Sequence, residues 1–593
     1  MQNKLPGPGR LQFRFWIAIA FSLLVSWGTA ASSQEPAPES GTAVSGSRSS
    51  GANRPNVILI VTDDQGYGDV GFHGNPLLKT PNLDDLARHS VRLSNFHVDP
   101  TCSPTRSALL SGRYSSKTGV WHTICGRSLM ATDELTLAEI FRANGYRTGM
   151  FGKWHLGDAY PLRPQDQGFD DVVCHGGGGV GQTPDYWDND YFDDTYWRNG
   201  VAEPFRGYCT DVWFREATRF VRQSPGKPFF LYLATNAPHG PYLVDQKYAQ
   251  PYKSAGEPTD KFLGMIANID ENLGQFLRML RENELEDNTL LIFLTDNGTA
   301  QGQDVFNANM RGQKGSEFEG GHRVPFFVRW PAGNLAHGQE FDQLAAHIDL
   351  RPTLVELCGL DEPESGYPSD GASLGPILRG DREALRGRTL FVHSQRVLHP
   401  EKWRKSAVMT DRWRLINGTQ LFDVRQDPGQ KQDVAGTHAS VVTGLRAAYE
   451  EWWQSLQPSL HRTVHVTIGS TVEPRTRLTA HDWLNPDSTP WHQGMVRRGP
   501  WSQGSWAVEV ERPGRYAFQL ARWPEELKQS IEAATATVII QGHEATIPLD
   551  PAAASAEIIL PLVAGKTRLQ TVLREAAGNE RGAFYTYVRR LAE

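Results

Sequence analysis

Three continuous apolar runs punctuate the first half of the chain, and each stops abruptly at polar residues. Asn56 to Val61 reads NVILIV and is followed by Asp63-Asp64, Phe229 to Ala234 precedes Asn236, and Leu290 to Leu294 precedes Asp296. Short apolar runs without polar alternation suit strands buried on both faces of a parallel sheet. In open α/β sheets ligands collect beyond the carboxyl ends of the strands, so three polar clusters far apart in sequence are expected to meet along one sheet edge. Between the runs the pattern is helical, as at Pro81 to His89, where Thr80 is placed to cap and Pro81 suits the first turn.

From about Arg388 the texture changes to short strand-like runs, LFVHS, KSAVMT and QLFDV, followed by a helix whose Val442, Leu445, Tyr449, Trp452 and Leu456 form one apolar stripe. Beyond Pro458 the pattern is all β. Trp506, Val508 and Val510 alternate, Pro513-Gly514 turns the chain, and Tyr516, Phe518 and Leu520 alternate again. The chain therefore divides into a first region at 53–387, a small antiparallel subdomain with its helix at 388–458, and a separate β-sandwich at 459–593. Trp483, Trp491, Trp501, Trp506 and Trp523 are expected mainly to fill the sandwich core, Trp506 above all, rather than to stack on sugar rings.

The length of 593 residues exceeds what one core supports and agrees with this division. Lys4, Arg10 and Arg14, an apolar stretch from Phe15 to Trp27, and small residues through Ala31 read as a secretory signal peptide over 1–31, cleaved near Ala30 or Ala31. The apolar stretch is too short for a spanning helix, and a Ser/Pro/Gly-rich linker follows over 32–52. This pattern predicts export to the periplasm or the extracellular space, with no stable membrane insertion. Losing three basic residues and no acid takes the formal charge from −7 to −10, which disfavours nucleic acid as a partner. An anionic substrate must then be attracted by local positive charge in a pocket. Five cysteines, Cys102, Cys125, Cys174, Cys209 and Cys358, are too few for a disulfide scaffold and lack zinc spacing, which leaves one or two bridges open among the last four.

The decisive segment is Cys102-Ser-Pro-Thr-Arg106, continuing SALLSGRYSSKTGV. It resembles the C-x-P-x-R signature of the sulfatase family, in which a dedicated maturation enzyme oxidises the cysteine to formylglycine. The paired acids Asp63 and Asp64, with Asp296-Asn297, repel one another unless a cation intervenes. Oxygen-only ligands suit a hard divalent ion, Ca²⁺ or Mg²⁺. By the resemblance, Asp63, Asp64, Asp296, Asn297 and residue 102 itself hold calcium. Lys153 and His155 in GKWHLG, His239 in NAPHGP and Lys314 in RGQKGSEFEGG also match family positions. The resemblance covers about Asn53 to Leu456. It implies an alkaline-phosphatase-like α/β fold, a mixed and mostly parallel sheet between helices, and hydrolysis of sulfate monoesters on sulfated small molecules or glycans.

The chemistry is self-consistent. Lys153, Lys314 and Arg106 supply positive charge for a sulfate ester, and a hydrated aldehyde offers one hydroxyl to attack sulfur and a second to expel sulfate. The resemblance assigns Asp296 the attacking proton, His239 protonation of the leaving oxygen and His155 assistance to the elimination. A phosphomonoesterase or phosphonate hydrolase on a related sheet is disfavoured, because no His-rich second metal site accompanies Cys102. A binding protein that has lost catalysis is disfavoured because every expected catalytic position is filled. Two features stay outside this frame. His322 in EGGHRVPFF stands where an aliphatic residue is expected, and the stretch Cys174-His175-Gly-Gly-Gly-Gly-Val-Gly-Gln-Thr-Pro-Asp185 reads either as a surface loop or as a substrate subsite using His175 and Asp185.

Overall fold

The strand Asn56–Thr62 lies in the middle of a ten-stranded sheet, with Phe229–Ala234 and Thr289–Thr295 as parallel neighbours on either side. The computed structural model describes residues 54–592 apart from 365 and 486; the expected signal peptide and linker lie outside them. Arg147–Gly152 and Asp171–Cys174 extend the parallel set, and Phe326–Arg329, Thr195–Arg198 and Val201–Pro204 add antiparallel strands toward the edges. The apolar run of the central strand serves two cores at once. Val57, Leu59 and Val61 pack with Leu109, Ile140 and Leu354 on one face, while Ile58 and Ile60 pack with Leu83, Val212 and Ile269 on the other. That division is the strand's two-residue period expressed between two helical layers. The fold is the mixed, mostly parallel α/β class expected.

The helix Pro81–Arg88 forms as predicted, but Thr80 does not cap it. Its hydroxyl instead donates to Asp84 Oδ1 at 2.8 Å and accepts from the Gly71 amide at 2.8 Å, tying the helix start to the preceding turn. Among the described residues, no helix is long and apolar enough to cross a membrane. All five cysteines are free, so none of the bridges left open by the sequence is present.

Leu390–His393, Ser406–Met409, Trp413–Ile416 and Gln420–Asp423 form a four-stranded antiparallel sheet. Leu445, Tyr449, Trp452 and Leu456 of the helix Ala439–Leu460 cover it, and Val442 sits at the margin of that contact. The helix passes Pro458 and ends at Leu460, two residues beyond the expected boundary.

The remaining residues form two sheets of six and four strands. Ser505–Val510 lies in the larger and Gly514–Ala521 in the smaller, so the Pro513-Gly514 turn carries the chain between sheets. A six-residue helix, Gln493–Arg498, interrupts the all-β pattern. The sandwich is not set apart as the sequence suggests. Its apolar cluster includes Leu129, Ala131, Leu162 and Trp187 from the first region together with Trp483, Trp506 and Phe518.

Candidate active site

Strand register brings the polar clusters together. Thr62 pairs with Thr295, so Asp63-Asp64 and Asp296-Asn297 leave two adjacent strands at the same edge. Gly152 pairs with Ala234, which places Lys153 beside the segment leading to Asn236 and His239. Gly152 has φ 114°, and a Cβ there would lie 1.9 Å from Ala234 O. Only glycine permits that crossing. Cys102 begins the helix Cys102–Ser111, all of whose residues are buried, and its sulfur lies within 4.8 Å of carboxylate oxygens of Asp63 and Asp296.

Each buried carboxylate has its own cation. Lys153 Nζ donates to Asp63 Oδ2 at 2.6 Å, Lys314 Nζ to Asp64 Oδ1 at 2.5 Å, and Arg106 Nε and Nη2 to Asp296 Oδ2 at 3.1 and 2.7 Å. The Asp64 amide donates to Asp296 Oδ1 at 3.1 Å, and Asn297 Nδ2 to Asp64 Oδ1 at 2.9 Å. Burial, reinforced by the Asp296 carboxylate, pushes the Asp63 carboxyl well above its usual range. Burial acts on Asp64 in the same direction, but Lys314, His239 and Lys153 outweigh it and hold that carboxyl below its ordinary value.

Asp63 Oδ1 and Asn297 Oδ1 are buried without a hydrogen-bond partner among the described residues. Unpaired buried acceptors are costly, so two in one cluster of oxygen donors mark a place for a cation. Three carboxylates and an amide oxygen fit a hard divalent ion. A second trio, His97, Glu319 and His322, is differently made. There Glu319 Oε1 accepts from Arg414 Nε at 2.6 Å, His97 Nδ1 lies 2.9 Å from His322 Nδ1, and His322 Nε2 donates to Glu317 O at 3.1 Å. His322 thus belongs to a buried polar bridge to the strand Phe96–His97.

A cavity of about 140 Å³ opens onto Cys102, His155, His239 and Lys314. His239 Nδ1 donates to Gly240 O at 2.6 Å, leaving Nε2 3.9 Å from Asp64 Oδ2; burial, helped by Lys314, pushes its pKa down to about 4. His155 Nε2 donates to Thr123 O at 2.9 Å, and its Nδ1 is buried without a hydrogen-bond partner among the described residues. Burial, then Lys153, pulls its pKa well below the usual histidine value. Lys153 and Arg106 are fully buried behind this cavity rather than lining it, and Arg106 Nη1 also donates to Lys153 O at 3.1 Å and Tyr232 Oη at 3.3 Å.

The glycine-rich stretch covers both histidines. A Cβ on Gly178 would lie 2.0 Å from His155 Cε1, so the backbone there approaches the ring as only glycine allows. The two residues expected to contact substrate from this stretch do not reach the cavity at Cys102. Asp185 is buried and holds the loop together, accepting from the Gly176 and Gly181 amides at 3.3 and 2.9 Å and from Asn189 Nδ2 at 3.1 Å. His175 faces a neighbouring cavity of about 270 Å³ with Trp154 and Asp158. The wall at Cys102 is made by Thr123, Ile124, Gln182, Arg396 and Trp491, of which the sequence singled out Trp491 and, within the glycine-rich stretch, offered Gln182 as part of a possible subsite.

Comparison with known proteins accords with this geometry. The sulfatase family model matches residues 55–360, just over half of the chain, and a second, for the C-terminal part of N-sulphoglucosamine sulphohydrolase, matches residues 313–452. Human N-acetylgalactosamine-6-sulfatase is 32% identical over 374 residues, 59% of this chain and 70% of the relative. Human arylsulfatase A is 29% identical over 500 residues, 73% of this chain and 94% of the relative. A solved structure of Ps i-CgsB in complex with k-i-k-neocarrahexaose superimposes with a TM-score of 0.62 at 30% identity, covering 67% of this chain and 92% of the other. Motifs, sheet edge and relatives converge: the chain belongs to the sulfatase family, hydrolases of sulfuric esters on an alkaline-phosphatase-like fold.

Proposed function

We propose that this chain is an exported sulfatase that removes sulfate from sulfated saccharides, using residue 102 as formylglycine and one divalent cation, Ca²⁺ or Mg²⁺. The observation that carries this reading is the pair of orphaned oxygens, Asp63 Oδ1 and Asn297 Oδ1, beside Cys102 and between two lysines. Asp63, Asp64, Asp296 and Asn297 would hold the ion together with residue 102. Once bound, it supplies Lewis acidity toward the sulfate oxygens. The hydrated aldehyde supplies the attacking hydroxyl and a second one for sulfate release.

The chain's own residues do the rest. Three carboxylates, two lysines and Arg106 make a cluster that is formally neutral without the ion, so a dication leaves a net attraction for a monoanionic ester. Lys314, in the cavity floor, and Lys153, behind it, are the cations that sulfate would draw from the carboxylates. Arg106 positions Asp296 through two N–H donors, and Asp296 takes the proton of the attacking group. His239 Nε2 lies 3.9 Å from Asp64 Oδ2 and, once the bound anionic ester has drawn a second proton onto the ring, would deliver it to the leaving oxygen, while His155 Nδ1, whose ring is protonated on Nε2, would receive one during sulfate release. The human relative N-acetylgalactosamine-6-sulfatase and the structure of Ps i-CgsB with k-i-k-neocarrahexaose support a saccharide as the substrate class.

The test is the mass of a tryptic peptide spanning Cys102 from active enzyme. Oxidation to formylglycine lowers it by about 18 Da, and an active enzyme with an unmodified thiol would overturn the reading.

A further inference from the structure

The region beyond residue 458 enters the active site. Trp491 lines both the cavity at Cys102 and an adjoining cavity of about 870 Å³ that shares His239 and Lys314 with it. It lies outside both family matches, which end at residues 360 and 452. Of the tryptophans in the sandwich, Trp483 and Trp506 are fully buried, whereas Trp491 is 38% exposed.

Its backbone is nonetheless fixed. The Thr183 amide donates to Trp491 O at 3.0 Å, and the Thr183 hydroxyl donates to Pro490 O at 2.6 Å. Gln493 Nε2 donates to Tyr186 O at 3.0 Å. A large flat apolar side chain, rigidly held and partly open at the mouth of a charged site, is a stacking surface rather than a core residue left outside. On the same wall, Arg396 is exposed, its backbone amide donates a hydrogen bond to Trp121 O at 3.1 Å, and its guanidinium has no carboxylate partner among the described residues. By contrast, Arg106 behind the cavity is ion-paired to Asp296 and Arg497 of the adjoining cavity to Asp188.

Resting on the sulfatase reading above, we infer that Trp491 and Arg396 form a saccharide subsite, in which Trp491 stacks on a sugar ring and Arg396 binds a second anionic group of the same substrate. The preferred substrate is therefore an oligosaccharide of two or more rings carrying a sulfate or carboxylate besides the ester that is cleaved. The stacking surface reads the apolar C–H face of the ring, and the free guanidinium supplies the local positive charge that an acidic protein lacks overall.

The experiment uses full-length protein with verified formylglycine, a panel of mono- and disulfated disaccharides from glycosaminoglycans and carrageenans, 4-nitrophenyl sulfate, and inorganic sulfate as a competitive inhibitor of the sulfate position alone. Trp491→Ala should raise KM for the disaccharides roughly tenfold or more, with kcat and the inhibition constant of inorganic sulfate moving less than about threefold. Trp491→Phe should recover most of the loss, and Arg396→Ala should raise KM for disaccharides that carry a second sulfate or a carboxylate but not for monosulfated disaccharides with no other anionic group. Wild-type KM in both alanine variants would overturn the subsite. So would a KM and a sulfate inhibition constant that rise together, since that reports a collapsed site. Turnover of 4-nitrophenyl sulfate with none of the disaccharides would overturn the subsite and leave the hydrolase standing, whereas a wild type inert toward every sulfate ester would overturn both.

Discussion

The floor of the cavity and its outer wall use side chains in opposite ways. The floor is a closed set of buried charges, three carboxylates against Lys153, Lys314 and Arg106, each within hydrogen-bonding distance of a partner. The wall presents a partly open indole at Trp491 and a guanidinium at Arg396 that has no carboxylate partner among the described residues. A buried charge cluster tolerates little change, because removing one member strands another in a medium that cannot solvate it. An exposed wall tolerates substitution and changes preference instead. On the function and subsite proposed above, chemistry is concentrated in the floor and selectivity in the wall.

That division is most sharply tested at residue 102. Cys102→Ala should lower hydrolysis of every sulfate ester to background while thermal unfolding stays cooperative. Retained wild-type turnover would remove the floor from the mechanism. Next in size is metal removal. A chelated, ion-free sample should lose activity and melt at a lower temperature, because an ion that binds only the folded state stabilises it. Unchanged activity in a verified metal-free sample would exclude the ion.

His239→Ala separates leaving-group chemistry from binding. A sugar alkoxide departs badly without a proton and nitrophenolate departs well, so the loss should be about 10²- to 10⁴-fold on a sulfated sugar and much smaller on 4-nitrophenyl sulfate. Equal losses would make His239 a sulfate or metal contact. The smallest effects lie in the sandwich, where Trp506 is buried and Trp501 is 49% exposed over Arg581. Trp506→Ala should cost about 3–5 kcal/mol in denaturant unfolding, and Trp501→Ala about 1 kcal/mol or less. A reversed order would mean that the sandwich core is elsewhere.

The sandwich also packs on the first region in a way its sequence pattern does not reveal. Alternation at Trp506, Val508 and Val510 identifies a strand with one buried face, but not what that face meets. Here the same cluster takes in Leu129, Leu162 and Trp187, and its loop at 489–493 pins the segment around Gln182. Asp185 shows the converse. Its polar, glycine-rich neighbourhood resembles a subsite, yet its oxygens are engaged by amides of its own loop.

By itself the sequence determined the central strands, because continuous apolar runs suit burial on both faces of a sheet, and it pointed to the residues of the floor through contiguous motifs, such as CSPTR and GKWHLG, that resemble those of the sulfatase family. Only the tertiary structure decided which cation neutralises which carboxylate, that Arg106 and Lys153 stand behind the cavity, and that Arg396 and Trp491 complete its wall. Those contacts join residues up to several hundred positions apart through side-chain packing and loop hydrogen bonds, and such contacts leave no periodicity along the chain.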